Sequence, residues 1–217
     1  TLPPIDSIAV TGRCRPGSPG TTWRRLTFHG AYRKVLGRVI WAVAQSAWRY
    51  GEGGVRLMIP TDLRRRVPEE RSTGNLSITL HVNVQRDSTP DTIMQDIHSQ
   101  IDQKFDCMLF EGGAGLNLVP IRLLGAGIRL IGRRHHAKGL YSASGLITNL
   151  GLIDTRALSG GGFTTMTTFV MPPLWDNLSA FIIMSGTTDR VEIVVSVPNG
   201  LASDNRFELL LQDIAHS

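Results

Sequence analysis

Apolar residues recur along this chain with two different periods, and the periods name the elements. Within Ala31–Tyr50, Val35, Leu36, Val39, Ile40, Val43, Ala44, Ala47 and Trp48 return at spacings of three and four, so they share one face of a helix. Arg33, Lys34, Arg38, Gln45 and Arg49 take the opposite face, and Gly51, Gly53 and Gly54 end the run. From Leu76 to Val84 the period is two. Leu76, Ile78, Leu80, Val82 and Val84 face one way, with Ser77, Thr79, His81 and Asn83 opposite, which predicts a strand with one core side and one polar, uncharged side. A second helix opens at Pro90 behind Ser88 and Thr89, with Ile93, Ile97, Ile101 and Phe105 as its stripe. A third, Leu118–Arg134, is apolar on most sides and is therefore expected to be well buried; it ends in Arg133, Arg134, His135 and His136.

Beyond it the chain turns to strands. Gly145–Thr148 runs into Asn149, Leu150 and Gly151, and three glycines follow at 160–162. Asn and Gly tolerate sharp turns and close approach, so Ser144–Gly162 is the candidate edge of a cleft. Phe163–Met171 reads as a β-rich run closed by Pro172 and Pro173. Ala180–Ser185 and Val191–Val197 form a hairpin around Gly186–Arg190, and Asp204–His216 is a closing helix with Ser203 as its cap. Short strands are expected at Ile5–Val10, Trp23–His29 and Val55–Pro60, and a Gly-, Pro- and Arg-rich loop or linker at Thr11–Thr22. The order β-α-β-β-α-α-β-β-β-β-α implies an α/β (α+β layered) domain, a mixed β-sheet with helices packed on one face.

Composition narrows the class. The 217 residues, 41% hydrophobic and 19% charged, suit a folded domain. The first residues are no signal peptide, and the apolar stretch Leu116–Ile131 carries Arg122 and Arg129, which argues against a membrane span. The chain begins without Met, as an excised or processed piece would. Cys14 and Cys107 have no metal spacing and read as free thiols of a reducing, cytoplasmic compartment. Residues 1–66 hold 12 basic and three acidic side chains; residues 67–217 hold 11 and 15. That asymmetry fits either an anionic partner near the first third or Arg used for Lys on solvated surface. Nucleic acid is disfavoured, because no recognition motif is present and the aromatics are not interleaved with the arginines. There is no nucleophile elbow, no phosphate-cradling glycine loop and no metal spacing.

Three segments in order carry a resemblance. Pro60-Thr61-Asp62-Leu63-Arg64 is followed by Gly74-Asn75 at a strand start, and a later strand ends in Thr148-Asn149-Leu150-Gly151. This resembles the C-terminal half of the condensation-domain and chloramphenicol-acetyltransferase-like, CoA-dependent acyltransferase superfamily, with its nonribosomal peptide condensation domains, polyketide-associated acyltransferases and wax ester synthases. The resemblance covers the chain from about Trp23 onward, so residues 1–22 would be a linker or crossover and 23–217 the lobe. It implies a two-lobed enzyme that forms an ester or amide from a thioester, with its active site in a tunnel between the lobes. No cofactor is held tightly; the donor is a phosphopantetheine thioester, on CoA or a carrier protein. The implied partners are that donor and an N-terminal lobe, on the same or a separate chain.

The family's catalytic His-His-x-x-x-Asp belongs to the other lobe. His135-His136 does not reproduce it, since Leu140 stands where Asp is needed, and the pair reads as a basic helix terminus. The resemblance therefore implies no catalytic residue here. Thr148, Asn149 and Gly151 are candidates for the tunnel wall, with a turn Asn bonded to its own backbone as the other reading. Asp62 and Arg64 would pair with each other, hold the missing lobe or meet phosphate; Asn75 is a turn former or a further lobe contact. The alternative is a non-catalytic module of the same fold that recruits a carrier protein or another partner.

Overall fold

The computed structural model describes residues 6–16, 19–30, 34–66, 76–104, 119–173 and 178–217, without the side chains of 65 and 66. The strands are β1 (Ser7–Ile8), β2 (Thr21–His29), β3 (Val55–Asp62), β4 (Ser77–Val84), β5 (Leu140–Tyr141), β6 (Gly145–Leu152), β7 (Phe181–Gly186) and β8 (Arg190–Pro198). The helices are α1 (Val35–Tyr50), α2 (Pro90–Asp102), α3 (Ile121–Lys138), α4 (Asn199–Ala202) and α5 (Arg206–Ala215). Six strands make one sheet in the order β2-β8-β7-β6-β3-β4, and β1 pairs separately with β5. β3, β6 and β7 run parallel, while the pairs β3–β4, β7–β8 and β8–β2 are antiparallel. The mixed sheet is the one expected.

The two faces of the sheet are loaded differently, and the side-chain period of two makes this visible in the register. Val55, Leu57 and Ile59 on β3 lie opposite Val84, Val82 and Leu80 on β4. With Ile147, Ile182, Met184, Ile193 and Val195 they form one continuous core. That core is closed by α1, α2 and α5, which contribute Val39, Ile40, Val43, Ile93, Ile97, Phe207 and Leu210. The alternate residues, among them Arg56, Met58, His81, Leu146, Thr148, Ile183 and Glu192, face the other side. There the core is small: Ala143, Leu146 and Leu178, with Met58 and Phe181 against them.

Local chemistry sets the ends. Thr89 caps α2 with a reciprocal box: its hydroxyl accepts from the Thr92 N–H, and its own N–H donates to the Thr92 hydroxyl. The closing helix begins later than expected. Asn205, with φ of 59°, precedes Arg206, and Ser203 does not cap the helix; its Oγ accepts from Arg206 Nη2 at 2.6 Å. The buried Arg206 guanidinium also donates to the carbonyls of Thr11 and Arg13. One fork of donors thus ties the loop after β1 to the last helix. That loop has neither helix nor strand from 9 to 16. The sequence-predicted helix start at residues 31–33, and Phe105 and Cys107, lie outside the described residues.

Helices α1 and α2 meet at Gly37, where an added Cβ would stand 2.6 Å from the Pro90 carbonyl oxygen. Gly37→Ala is expected to force the two helices apart. The cost is about 1–3 kcal/mol of stability, the usual range for overpacking, read by denaturant unfolding.

Candidate functional site

Three parallel strands deliver their C-terminal ends to one end of the sheet, and two of them part there. β3 and β6 are paired at Leu57/Gly145 and Met58/Leu146 alone. Past that point β3 turns at Asp62 into the 3₁₀ turn Leu63–Arg66, while β6 continues to Leu152 along β7. A gap between diverging strand ends is where open α/β sheets place their ligands. The β6–β7 ladder is shifted by one residue between Asn149 and Leu152. Gly151 sits in this bulge with φ of 72°, a conformation that favours glycine. The Asn149 side-chain oxygen accepts from the Gly151 N–H at 2.9 Å, the turn geometry that residue type favours. Thr148 lies opposite Ile183 and faces the side away from the helices.

Asp62 and Arg64 bind each other. Asp62 Oδ1 accepts from the Arg64 backbone at 3.0 Å and from its guanidinium at 3.1 Å, and both side chains are about half exposed. The strand ends bearing Asp62, Thr148, Asn149 and Gly151 are thus neighbours in the sheet; Gly74 and Asn75 lie outside the described residues. Beyond β6 an open groove of about 480 Å³ runs along Leu152, Ile153, Asp154, Thr155 and Arg156 to Thr188. Asp154 in its lining is held by Arg156, and Asp189, next to Thr188, by Arg190, which keeps both carboxyls ionised below their ordinary range.

The segment expected as a strand at Phe163–Met171 is not one. The three glycines form a tight turn instead of a loose loop: Gly160 and Phe163 exchange both backbone hydrogen bonds, and Gly161 and Gly162 have positive φ. From Thr164 to Val170 the chain has no strand pairing, because side chains of the sheet hold it. Glu192, on the face away from the helices, is 1% exposed. It accepts two hydrogen bonds from Arg25 at 2.8 Å, one from Thr27 at 2.7 Å and one from Thr167 at 2.8 Å. The Arg25 guanidinium in turn lies 4.4 Å from the centre of the Phe169 ring, and Ser185 donates to the Thr168 carbonyl. Burial pushes the Glu192 carboxyl up, but the hydrogen bonds of Arg25, Thr27 and Thr167 outweigh it and hold it at about 2. The segment is therefore clamped to the sheet while Phe163, Met166, Val170 and Met171 remain exposed. Leu150, Leu152 and Leu158, at and just after the end of β6, are exposed as well, so the stretch from 150 to 171 carries an exposed apolar margin.

Two readings need correction or completion. Helix α3 is not buried: among its residues Gly132 alone is, and Ile121, Leu123, Ile128, Leu130 and Ile131 are exposed. Its apolar residues surround the axis, but among the described residues no second layer covers it. His135 and His136 do stand in its basic last turn, where His136 is hydrogen-bonded at 2.8 Å to Tyr141, a phenol that burial keeps protonated. On β4 the polar row is as expected, and burial, with the Arg56 charge, lowers the affinity of His81 for a proton. The Glu192 clamp was not foreseen. The signal was a lone Glu in a β-branched strand, with Arg25 and Thr27 two residues apart on another.

No protein-family model and no curated protein matches the sequence. Solved structures do match the fold. The chain aligns with a probable dihydrolipoamide acetyltransferase from Listeria monocytogenes 4b F2365 at TM-score 0.53 and 9% identity, over 91% of this chain and 83% of the other. It aligns with a wax ester synthase/diacylglycerol acyltransferase from Marinobacter aquaeolei VT8 at TM-score 0.52 and 12% identity, over 97% and 51%. It aligns with the EpoB nonribosomal peptide synthetase cyclization-docking bidomain from Sorangium cellulosum at TM-score 0.53 and 12% identity, over 99% and 45%. The chain spans about half the length of the last two. The fold is that of the chloramphenicol-acetyltransferase-like, CoA-dependent acyltransferases. Among the described residues no helix is long and apolar enough to cross a membrane.

The clamp gives a pH signature. With the folded Glu192 carboxyl at about 2 against an ordinary 4.5, its contribution is complete above pH 4.5 and is lost as pH falls toward 2. Glu192→Gln is expected to cost of the order of 3 kcal/mol at neutral pH, with less loss in acid. In a chain this size that is roughly 6–12 °C in Tm, measured by thermal unfolding across pH 3–7.

Proposed function

We propose that this chain is the C-terminal lobe of a two-lobed acyltransferase that forms an ester or amide from a thioester donor. The observation that carries the reading is a lobe-sized match: nearly all of this chain corresponds to about half of a wax ester synthase and of a cyclization bidomain. The apolar margin supports it. Leu152 at the end of β6, Leu158, Phe163 and Met166 are each more than half exposed, and Met166 stands next to Thr167, which the Glu192 clamp fixes in place. Large apolar side chains left exposed along one stretch of chain mark an interface.

In this reading the margin meets the N-terminal lobe, which supplies the His-His-x-x-x-Asp base. The present lobe supplies one wall of the shared tunnel through Thr148, Asn149 and Gly151. The Asn149 side-chain oxygen is engaged by Gly151, so its amide is the group left to donate to substrate or to the opposite lobe. Asp62 and Arg64, already paired, would brace the lobe contact rather than bind phosphate. The donor is a phosphopantetheine thioester on CoA or a carrier protein; the catalytic proton transfer is the other lobe's.

The chain alone is expected to show no acyl transfer above background, and addition or fusion of the His-bearing lobe is expected to restore it. Leu152→Asp combined with Phe163→Asp should leave the folding stability of the exposed sites within about 0.5 kcal/mol. The same pair should weaken lobe association by roughly tenfold or more, measured by calorimetry, since buried apolar anchors dominate interfaces. Enzymatic turnover by the isolated chain would falsify the reading. Carrier-protein binding with no turnover in the restored enzyme would establish the non-catalytic module instead.

A further inference from the structure

At the end of the sheet away from Asn149 and Gly151 lies a second concavity, which the acyltransferase reading does not use. Phe181, the first residue of β7, pairs with Ser196, so the end of β8 and the start of α4 stand where the parallel strands begin. There an open groove of about 410 Å³ runs between the chain around Cys14, Pro19 and Asn199 on one side and helix α3 on the other. The first wall is tied in place by hydrogen bonds. The Arg15 N–H donates to the Gly200 carbonyl at 2.8 Å, the Asn199 N–H to the Gly20 carbonyl at 3.0 Å and the Asn199 side-chain amide to the Pro19 carbonyl at 3.1 Å. The Arg15 carbonyl and the Cys14 sulfur leave no room for a side chain at Gly200. This wall is therefore set before any ligand arrives. Helix α3 makes the other wall with Arg129, Gly132, Arg133 and His136. At about 100° per residue these four fall within about 100° of arc, and Gly132 in that arc is the helix's buried residue. Among the described residues neither Arg129 nor Arg133 has an acidic partner. His136 has its Nδ1 2.8 Å from the hydroxyl of the buried Tyr141. With that phenol keeping its proton and donating to Nδ1, the neutral ring carries its own proton on Nε2, the nitrogen left for a ligand. The groove lining holds no Asp or Glu, and its third guanidinium, Arg15, is already paired with Asp204 at 2.9 Å.

Two guanidiniums one helical turn apart, beside a ring N–H, suit an anion with two linked charged groups. We propose that this groove binds a phosphorylated small molecule, with a diphosphate or longer phosphate chain along Arg129 and Arg133. Planar guanidinium forks match phosphate oxygens in pairs. Forks at i and i+4, on Cβ atoms about 5–6 Å apart, suit phosphates that are linked to one another. Opposite them Cys14, Pro19 and Pro198 offer apolar surface to an uncharged organic part, and a volume of this order is that of small-molecule sites. An acidic peptide would find no cation on the first wall except Arg15, which Asp204 already occupies. The proposal does not rest on the acyltransferase reading, whose tunnel wall is at the other end of the sheet.

The test is isothermal titration calorimetry of the full chain with inorganic pyrophosphate, adenosine triphosphate and a short polyglutamate peptide as probes. Salt is held at about 0.15 M, where exposed charges more than about 8 Å apart are screened. One site is expected, filled by pyrophosphate or by adenosine triphosphate, each displacing the other. Arg129→Gln with Arg133→Gln should weaken both by about tenfold or more, as loss of charge-assisted hydrogen bonds does. Far-UV circular dichroism should be unchanged, because both side chains are exposed. Arg134→Gln with Lys138→Gln removes the same charge from the same helix outside the groove and should leave both affinities unchanged. Three results overturn the proposal. They are no binding of either phosphate by a folded chain; an equal loss from the two double variants, as diffuse surface charge predicts; or a polyglutamate peptide that binds more tightly than either phosphate, as an acidic protein partner predicts.

Discussion

The arrangement of the sheet's helix-free face depends on one carboxylate. Glu192 stands in a β-branched strand with no solvent contact, where an isolated charge costs several kcal/mol. Four hydrogen bonds from Arg25, Thr27 and Thr167 replace the lost water, and the Arg25 charge is close enough to favour the ionised form. The consequence is geometric. Arg25 and Thr27 fix the edge strand β2 to β8 by side chains as well as by the ladder, and Thr167 fixes a non-strand segment across the same face. Arg25 then stacks on Phe169, so the cation that neutralises Glu192 also holds the segment two residues beyond Thr167. Removing the carboxylate releases both at once.

This clamp explains how the protein can present apolar side chains without collapsing around them. A sheet with helices on one face has a second face to satisfy. Here only a small cluster, Ala143, Leu146 and Leu178, does so by apolar packing. The rest of the described face is polar or covered by the clamped segment. Phe163, Met166, Phe169, Val170 and Met171 are left exposed while Thr167 engages Glu192 and the half-exposed Phe169 ring covers the Arg25 guanidinium.

That segment is also where sequence and structure diverge most instructively. The helix-facing core was legible, because periods of three to four and of two are produced by burial against one layer. Every strand of the six-stranded sheet and the helices α1, α2 and α5 were anticipated within a few residues. Phe163–Met171 was read as strand because side-chain alternation is all that a sequence shows; whether backbone groups find a ladder depends on neighbours 20 residues away. Helix α3 was expected to be buried because apolar residues surround it, yet a helix can be apolar all round for want of a partner in its own chain. At the candidate site, the Asn149–Gly151 turn was legible from residue type. The Glu192 clamp was not, because its donors lie 165 and 167 residues away and on a segment without regular structure.

The two exposed apolar regions differ in kind, and the difference is physical rather than positional. The margin from Leu150 to Met171 contains Asp154 paired to Arg156 and is supported by the ion pair of the buried Glu192 with the partly exposed Arg25, so its shape is fixed before any partner arrives. Preorganisation of that sort favours a partner of defined shape, since little ordering remains to be done on binding. Helix α3 is fixed at fewer points, chiefly Gly132, His136 and the turn at Gly139, and its cations have no acid to orient them. The margin thus presents a fixed surface to whatever it meets, whereas α3 presents apolar and basic side chains interleaved around one axis.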